Sequence, residues 1–191
     1  MHSTRISAFL LGALLLGSLF MAYVATENFQ TASQILKSPP PAVDKMIKSS
    51  GAEDIRALLR YQAGEENRLF FQTWETAELA MGVALAMLLF LGVKRPLLAG
   101  FAAGMVILAA FQHFQITPEL VWQGRSIDFA GANSTAREHF MKLHAAYGMI
   151  EVVKFLLLVS IATPLFWRSR HPRQRVELDA VDYANHRHVN G

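Results

Sequence analysis

His113, His144, Glu75, Glu78 and Glu151 each stand close to one end of a long apolar run, in a sequence that is otherwise sparing with charge inside such runs. Neutral imidazoles and carboxylates together make a suitable ligand set for iron, copper or zinc. Helix bundles commonly build such sites from inward residues on several helices. Read this way, His113 and His144 are candidate imidazole ligands of a haem with Tyr147 beside them. Glu75, Glu78, His113, His144 and Glu151 are the candidate ligands of a transition-metal ion. The pattern contains neither an ExxH nor an HxxxH pair, and His139 and His144 are five residues apart, which splays them by about 140° on a helix.

The same residues allow a second, purely structural use. Glu151 and Lys154 form an i,i+3 pair with the acid nearer the N-terminus, the favourable order, and Arg68 has Glu75 or Glu78 as candidate partners. Polar bonds between membrane helices contribute up to nearly ~2 kcal/mol, enough to set helix register. A cation or proton relay is a third use. It has the least to stand on, because Ser160 and Thr163 are isolated and no polar series continues along any run.

Four windows must position these groups: 6–25, 74–93, 97–116 and 148–167. Each has the roughly 20 mainly apolar residues that cross a bilayer, and helices satisfy their own backbone groups in lipid. The expected fold is therefore all-α, an antiparallel four-helix transmembrane bundle spanning residues 1–167 with an extracytoplasmic helical cap over 26–73. His144, Tyr147, Glu151 and Lys154 fall within one helical stripe roughly 80° wide. Ionisable groups in a membrane usually face a bundle interior or one another. Counted from the span ends, Glu27, Glu75, Glu78, Gln112, His113, Glu151 and Lys154 share one layer near the non-cytoplasmic face. The remaining two-thirds of the bundle should be almost wholly apolar.

In chain order, the first window could be a signal peptide, but cleavage after Ala25 would leave Tyr23 at the −3 position, so it is taken as a span. Its helix is expected to run to about Lys37, before Pro39, Pro40 and Pro41 stop it. Ser50-Gly-Ala-Glu53 has the form of a capping box for a helix continuous with the second span, in which Gly64 is the weak point and Trp74 an interface anchor. Lys94-Arg95-Pro96 makes a tight turn, so the second and third spans are antiparallel neighbours. Gly100 and Gly104 have a GxxxG spacing that suits close helix contact. Thr117-Pro118-Glu119 is expected to open a connector, and Thr135-Ala-Arg-Glu138 to cap the fourth helix. Asn133-Ser134-Thr135 fits a glycosylation sequon. Met21, Met81, Met87, Met105 and Met149 read as core filling.

Arg5, Lys94, Arg95, Arg168, Arg170, Arg173 and Arg175 lie on one side of this arrangement, so both termini are expected in the cytoplasm. The basic tail, 168–191, is expected to be disordered and suits anionic lipid headgroups. The formal charge of +3 follows the membrane edges rather than a basic patch with interleaved aromatics, which excludes nucleic acid as a partner. The bilayer is the implied partner, and other membrane proteins are candidates. With no cysteine, disulfides and thiolate chemistry are excluded. No nucleophile–base motif, phosphate loop or dinucleotide fingerprint supports an enzyme assignment.

Ile116-Thr117-Pro118-Glu119, followed by Phe140 and Leu143-His144, resembles an uncharacterised four-span membrane family with a Thr-Pro after the third span and a Leu-His at the entry to the fourth. The resemblance covers residues 9–166 and implies architecture together with a role for His144. Its layout is similar to that of copper-resistance D-like membrane proteins and of a haem-dependent protoporphyrinogen oxidase group. The functional expectation is a metal ion or haem held by the polar cluster. The competing one is an accessory or assembly subunit in which that cluster only locks the bundle.

Overall fold

The computed structural model describes residues 2–127 and 135–167. Their order is α1 (His2–Lys37), α2 (Pro41–Ser50), α3 (Ala52–Met87), α4 (Pro96–Phe111), α5 (Thr117–Ile127) and α6 (Thr135–Trp167). Two π-helical turns are inserted, Leu88–Gly92 after α3 and Gln112–Ile116 between α4 and α5. Four stretches are long and apolar enough to cross a membrane: His2–Lys37, Ala52–Gly92, Pro96–Ile127 and Thr135–Phe166. They form a closed ring in which α1 packs on α3, α3 on α4, α4 on α6 and α6 back on α1. This is the expected four-helix bundle.

Heptad-like spacing builds the core. On α3 the buried positions are Ala63, Gly64, Asn67, Glu75, Glu78, Gly82 and Leu85. On α6 they are Tyr147, Lys154, Leu158, Ile161 and Leu165. Alternating steps of three and four keep one stripe turned to antiparallel neighbours. Towards the chain termini that stripe is apolar, with Leu11, Leu14, Leu89, Ala102 and Met105 joining it. Large apolar side chains such as Phe9, Phe90, Leu97 and Leu156 point outward instead. Outward-facing hydroxyls are returned to the helix: Thr26 donates to the Ala22 carbonyl, Thr73 to Leu69, Ser160 to Leu156 and Thr163 to Val159. Such back-bonding satisfies these four donors within their own helices.

Close helix approach is provided by Gly17 and by Gly82, a small residue on the expected inward stripe of α3, and not by Gly100 and Gly104. A methyl added at Gly17 would overlap the Trp74 indole, so α1 accepts that ring only because residue 17 has no side chain. At Gly82 an added Cβ would lie 2.8 Å from Met105 Cε and 2.9 Å from Val106 Cγ2. Gly100 faces open space and Gly104 reaches nothing nearer than Leu157 Cδ1 at 3.9 Å. The GxxxG spacing therefore makes no tight contact within the bundle. Trp74, expected at the interface, is wedged between α1 and α3. Met87 and Met149 face outward, unlike the core methionines Met21 and Met105.

The ends also differ from expectation in two places. Gly51, at φ 93°, is the N-cap of α3 and no side chain caps it; Glu53 is instead paired with Arg56 at 2.8 Å. The segment after the third span is not an open connector, because α5 continues the line of α4 through the π turn. Pro118 lacks the N–H an α-helix would send back one turn, and the wider turn before it accommodates that loss. No residue of α2 is buried, and it packs only on α3. The sequon and the basic tail lie outside the described residues.

Candidate functional site

At the end of the bundle away from the termini, α3, α6 and the π turn bring eight polar side chains together in two tiers. The first tier surrounds Glu75, which is fully buried. Its Oε1 accepts from Thr117 Oγ1 at 2.6 Å and from Tyr147 OH at 3.0 Å. Its Oε2 lies 3.0 Å from His113 Nδ1. Tyr147 is held edge-on against Phe71, with ring centroids 5.6 Å apart. One carboxylate thus ties three elements together.

The second tier lies about one helical turn further in. Lys154, only 1% exposed, places Nζ 2.7 Å from Glu78 Oε2 and 2.8 Å from Glu151 Oε1. Gln112 Nε2 donates to the same Glu151 oxygen at 2.9 Å. Glu78 Oε1 and Gln112 Oε1 are buried with no protein partner. Three carboxyl groups in the two tiers therefore face one ammonium and one imidazole.

The π turn makes this possible. In a regular α-helix, residues 112, 113, 116 and 117 would spread over more than a third of the circumference, at about 100° each. The extra residue per turn rotates the chain so that Gln112, Ile116 and Thr117 are all buried and His113 is half-buried. π turns inside α-helices are frequently found at functional sites. Gln112 was expected in the polar layer though not as a ligand; Thr117, read only as the start of a connector, was missed, and its place beside Pro118 was the available signal.

Of the candidate ligands, Glu75, His113 and Tyr147 meet in the first tier, and Glu78, Glu151 and Lys154 in the second. His144 joins neither. It shares the stripe of Tyr147 but lies one turn beyond the packed region, exposed, with its ring stacked on Phe140 at 5.9 Å. His139 points the other way, with Nδ1 2.6 Å from Gln123 Nε2. Arg68 pairs with Glu65 at 2.6 Å, while the oxygens of Glu75 are taken by other donors. Glu27 is half-buried on α1 and joins neither tier. Among the described residues no three His, Asp or Glu side chains are grouped so as to hold a metal ion. The reason is visible in the second tier: an ammonium group fills the place between Glu78 and Glu151 that a cation would take.

Two further contacts fix the same end. Asn28 Nδ2 donates to Asn67 Oδ1 at 2.6 Å, and Asn67 Nδ2 donates to the Ala25 carbonyl at 3.1 Å, joining α1 to α3. Glu65 receives Arg125 Nε at 2.8 Å and Nη2 at 2.9 Å, a two-pronged contact between α3 and α5. The Arg125 hydrogen bond, helped by Arg68, holds the Glu65 carboxyl down at about 2. The Arg68 guanidinium fits over Gly64 and Gly124, where added methyls would come within 3.2 and 3.0 Å of its Nη2.

No family model matches this sequence, and no curated protein or solved structure is significantly similar to it. The helices themselves define the class: a multi-pass, all-helical membrane protein.

Proposed function

We propose that this is a non-catalytic accessory or assembly subunit of a membrane complex, in which the two-tier polar cluster locks four spans in one register. The observation that supports it most is Lys154, buried between Glu78 of α3 and Glu151 of its own helix. Each of the cluster's oxygens that is bonded receives its hydrogen from the protein, and most of those bonds cross between elements. In the low dielectric of a bundle an unpaired charge is costly, so a slip or rotation between α3 and α6 would strand Glu78, whose bonded oxygen receives only Lys154. That penalty selects one arrangement. On this reading both termini are cytoplasmic, and the cluster lies towards the outer face.

The rival reading, a metal ion or haem on the same layer, draws on the Glu75–His113 pair, since a carboxylate behind an imidazole is a common arrangement around ligating histidines. It lacks a second imidazole nearby, because His144 is turned to the exterior. Absorption spectroscopy and elemental analysis of the protein purified in detergent separate the two. The locking role expects a colourless protein with far less than one metal per chain, and a Lys154→Ala form that loses helix packing. A Soret band or stoichiometric metal that disappears in His113→Ala would reject it.

A further inference from the structure

Beside the first tier, α3 and the π turn leave a recess of about 370 Å³ lined by Gln72, Thr76, His113, Phe114, Thr117 and Pro118. That volume is within the usual range for small-molecule sites. Two of its hydroxyls are committed: Thr76 donates to the Gln72 carbonyl and Thr117 to Glu75. His113 is different. Its Nδ1 faces the buried Glu75 carboxylate, and the ring, 24% exposed, also lines the recess. Glu75 Oε1 accepts from Thr117 and Tyr147, and Oε2 faces Nδ1. In the tautomer whose Nδ1 donates to Oε2, Nε2 is left as an acceptor for a group outside the Glu75 tier. Phe114, 65% exposed, and Pro118 supply an apolar wall. Phe114 meets the imidazole edge-on, with centroids 4.8 Å apart.

An acceptor fixed by a buried carboxylate, beside an aromatic wall, suits one chemical class. We propose that the recess binds a lipid-soluble hydroxyaromatic molecule, a phenol or quinol headgroup, whose hydroxyl donates to His113 Nε2 while its ring packs on Phe114 and Pro118. An alcohol without a ring would forgo the wall, and an anion has no hydrogen to donate to Nε2. This site goes beyond the locking role and does not depend on it.

The probe is 1-naphthol, titrated into the full chain in phosphatidylcholine nanodiscs and read by its own fluorescence, with empty nanodiscs as the partition blank. Saturable binding of one naphthol per chain is expected. It should weaken about tenfold or more, the size of one lost hydrogen bond to an oriented acceptor, when 1-methoxynaphthalene replaces the probe or in His113→Phe. Thr76→Trp, which fills the recess from an exposed position, should abolish it. Should His113→Phe fail to fold by circular dichroism and gel filtration, the methyl ether and Thr76→Trp decide the matter. Uptake indistinguishable from empty nanodiscs, equal binding of the methyl ether, or undiminished binding by Thr76→Trp overturns the proposal.

Discussion

Lys154 of α6 and Glu78 of α3 meet at 2.7 Å with both side chains withdrawn from the surface, 76 residues apart in sequence. Glu151, one turn before Lys154, shares the ammonium at 2.8 Å. The value of such a contact lies less in the pair than in the penalty for breaking it, since replacing both partners with apolar groups is often neutral. Lys154→Ala should therefore destabilise the bundle by about 3–5 kcal/mol. The double change Glu78→Leu with Lys154→Met should recover much of that loss. Unfolding in mixed micelles measures both, and a single variant as stable as the parent would contradict the locking role.

The glycines give a sharper steric test. Gly17→Val should cost at least about 1–3 kcal/mol through overpacking and shift the Trp74 emission, because the added side chain and the indole claim the same space. Gly100→Ala, on a face with no neighbour, should change stability by less than about 0.5 kcal/mol. Equal effects at the two positions would mean that the helices pack along a different face.

Glu65 supplies a pH signature from the polar first half of α3, before the apolar window 74–93. Its carboxyl is held at about 2, below the ordinary 4.5. A depressed acid contributes stability that is complete above its unfolded value and is lost as the pH falls through its folded one. The stability difference between the parent and Glu65→Gln should thus be constant from neutral pH to about 5 and shrink as the pH falls from 4.5 towards 2. Partial solvent exposure keeps it small, about 1 kcal/mol or less. Melting curves of the two proteins across that range measure it; a difference that grows on acidification would refute the assignment.

His144→Ala should leave stability within about 0.5 kcal/mol of the parent, as an exposed ring stacked on one neighbour implies. Thermal unfolding monitored by circular dichroism checks this.

The absence of cysteine allows a clean test of orientation. Ser49→Cys, exposed at the end of α2, should react in intact cells with a membrane-impermeant maleimide. His2→Cys should react only after the cells are opened. The reverse pattern would invert the proposed topology.

The four helices and the tight Lys94-Arg95-Pro96 turn were legible in the sequence for a single reason: hydrocarbon demands uninterrupted apolar runs of spanning length, and a short connection forces antiparallel neighbours. The polar layer was legible as a depth, because residue count along a helix converts directly into distance along its axis. Depth says nothing about azimuth. Whether Lys154 turns to Glu78, or Glu75 gathers Thr117, Tyr147 and His113, depends on how each helix is rotated against its neighbours. A π turn that no periodicity announces altered that rotation for Gln112, His113 and Thr117. Where the bundle stops covering α6 likewise separated His144 from Tyr147, though the two share a stripe. The sequence alone determined which stretches are long and apolar enough to cross a membrane and at what height along them the polar residues stand; only the packed helices decided which of those residues meet, because side-chain pairing across a bundle is set by rotation and register rather than by composition.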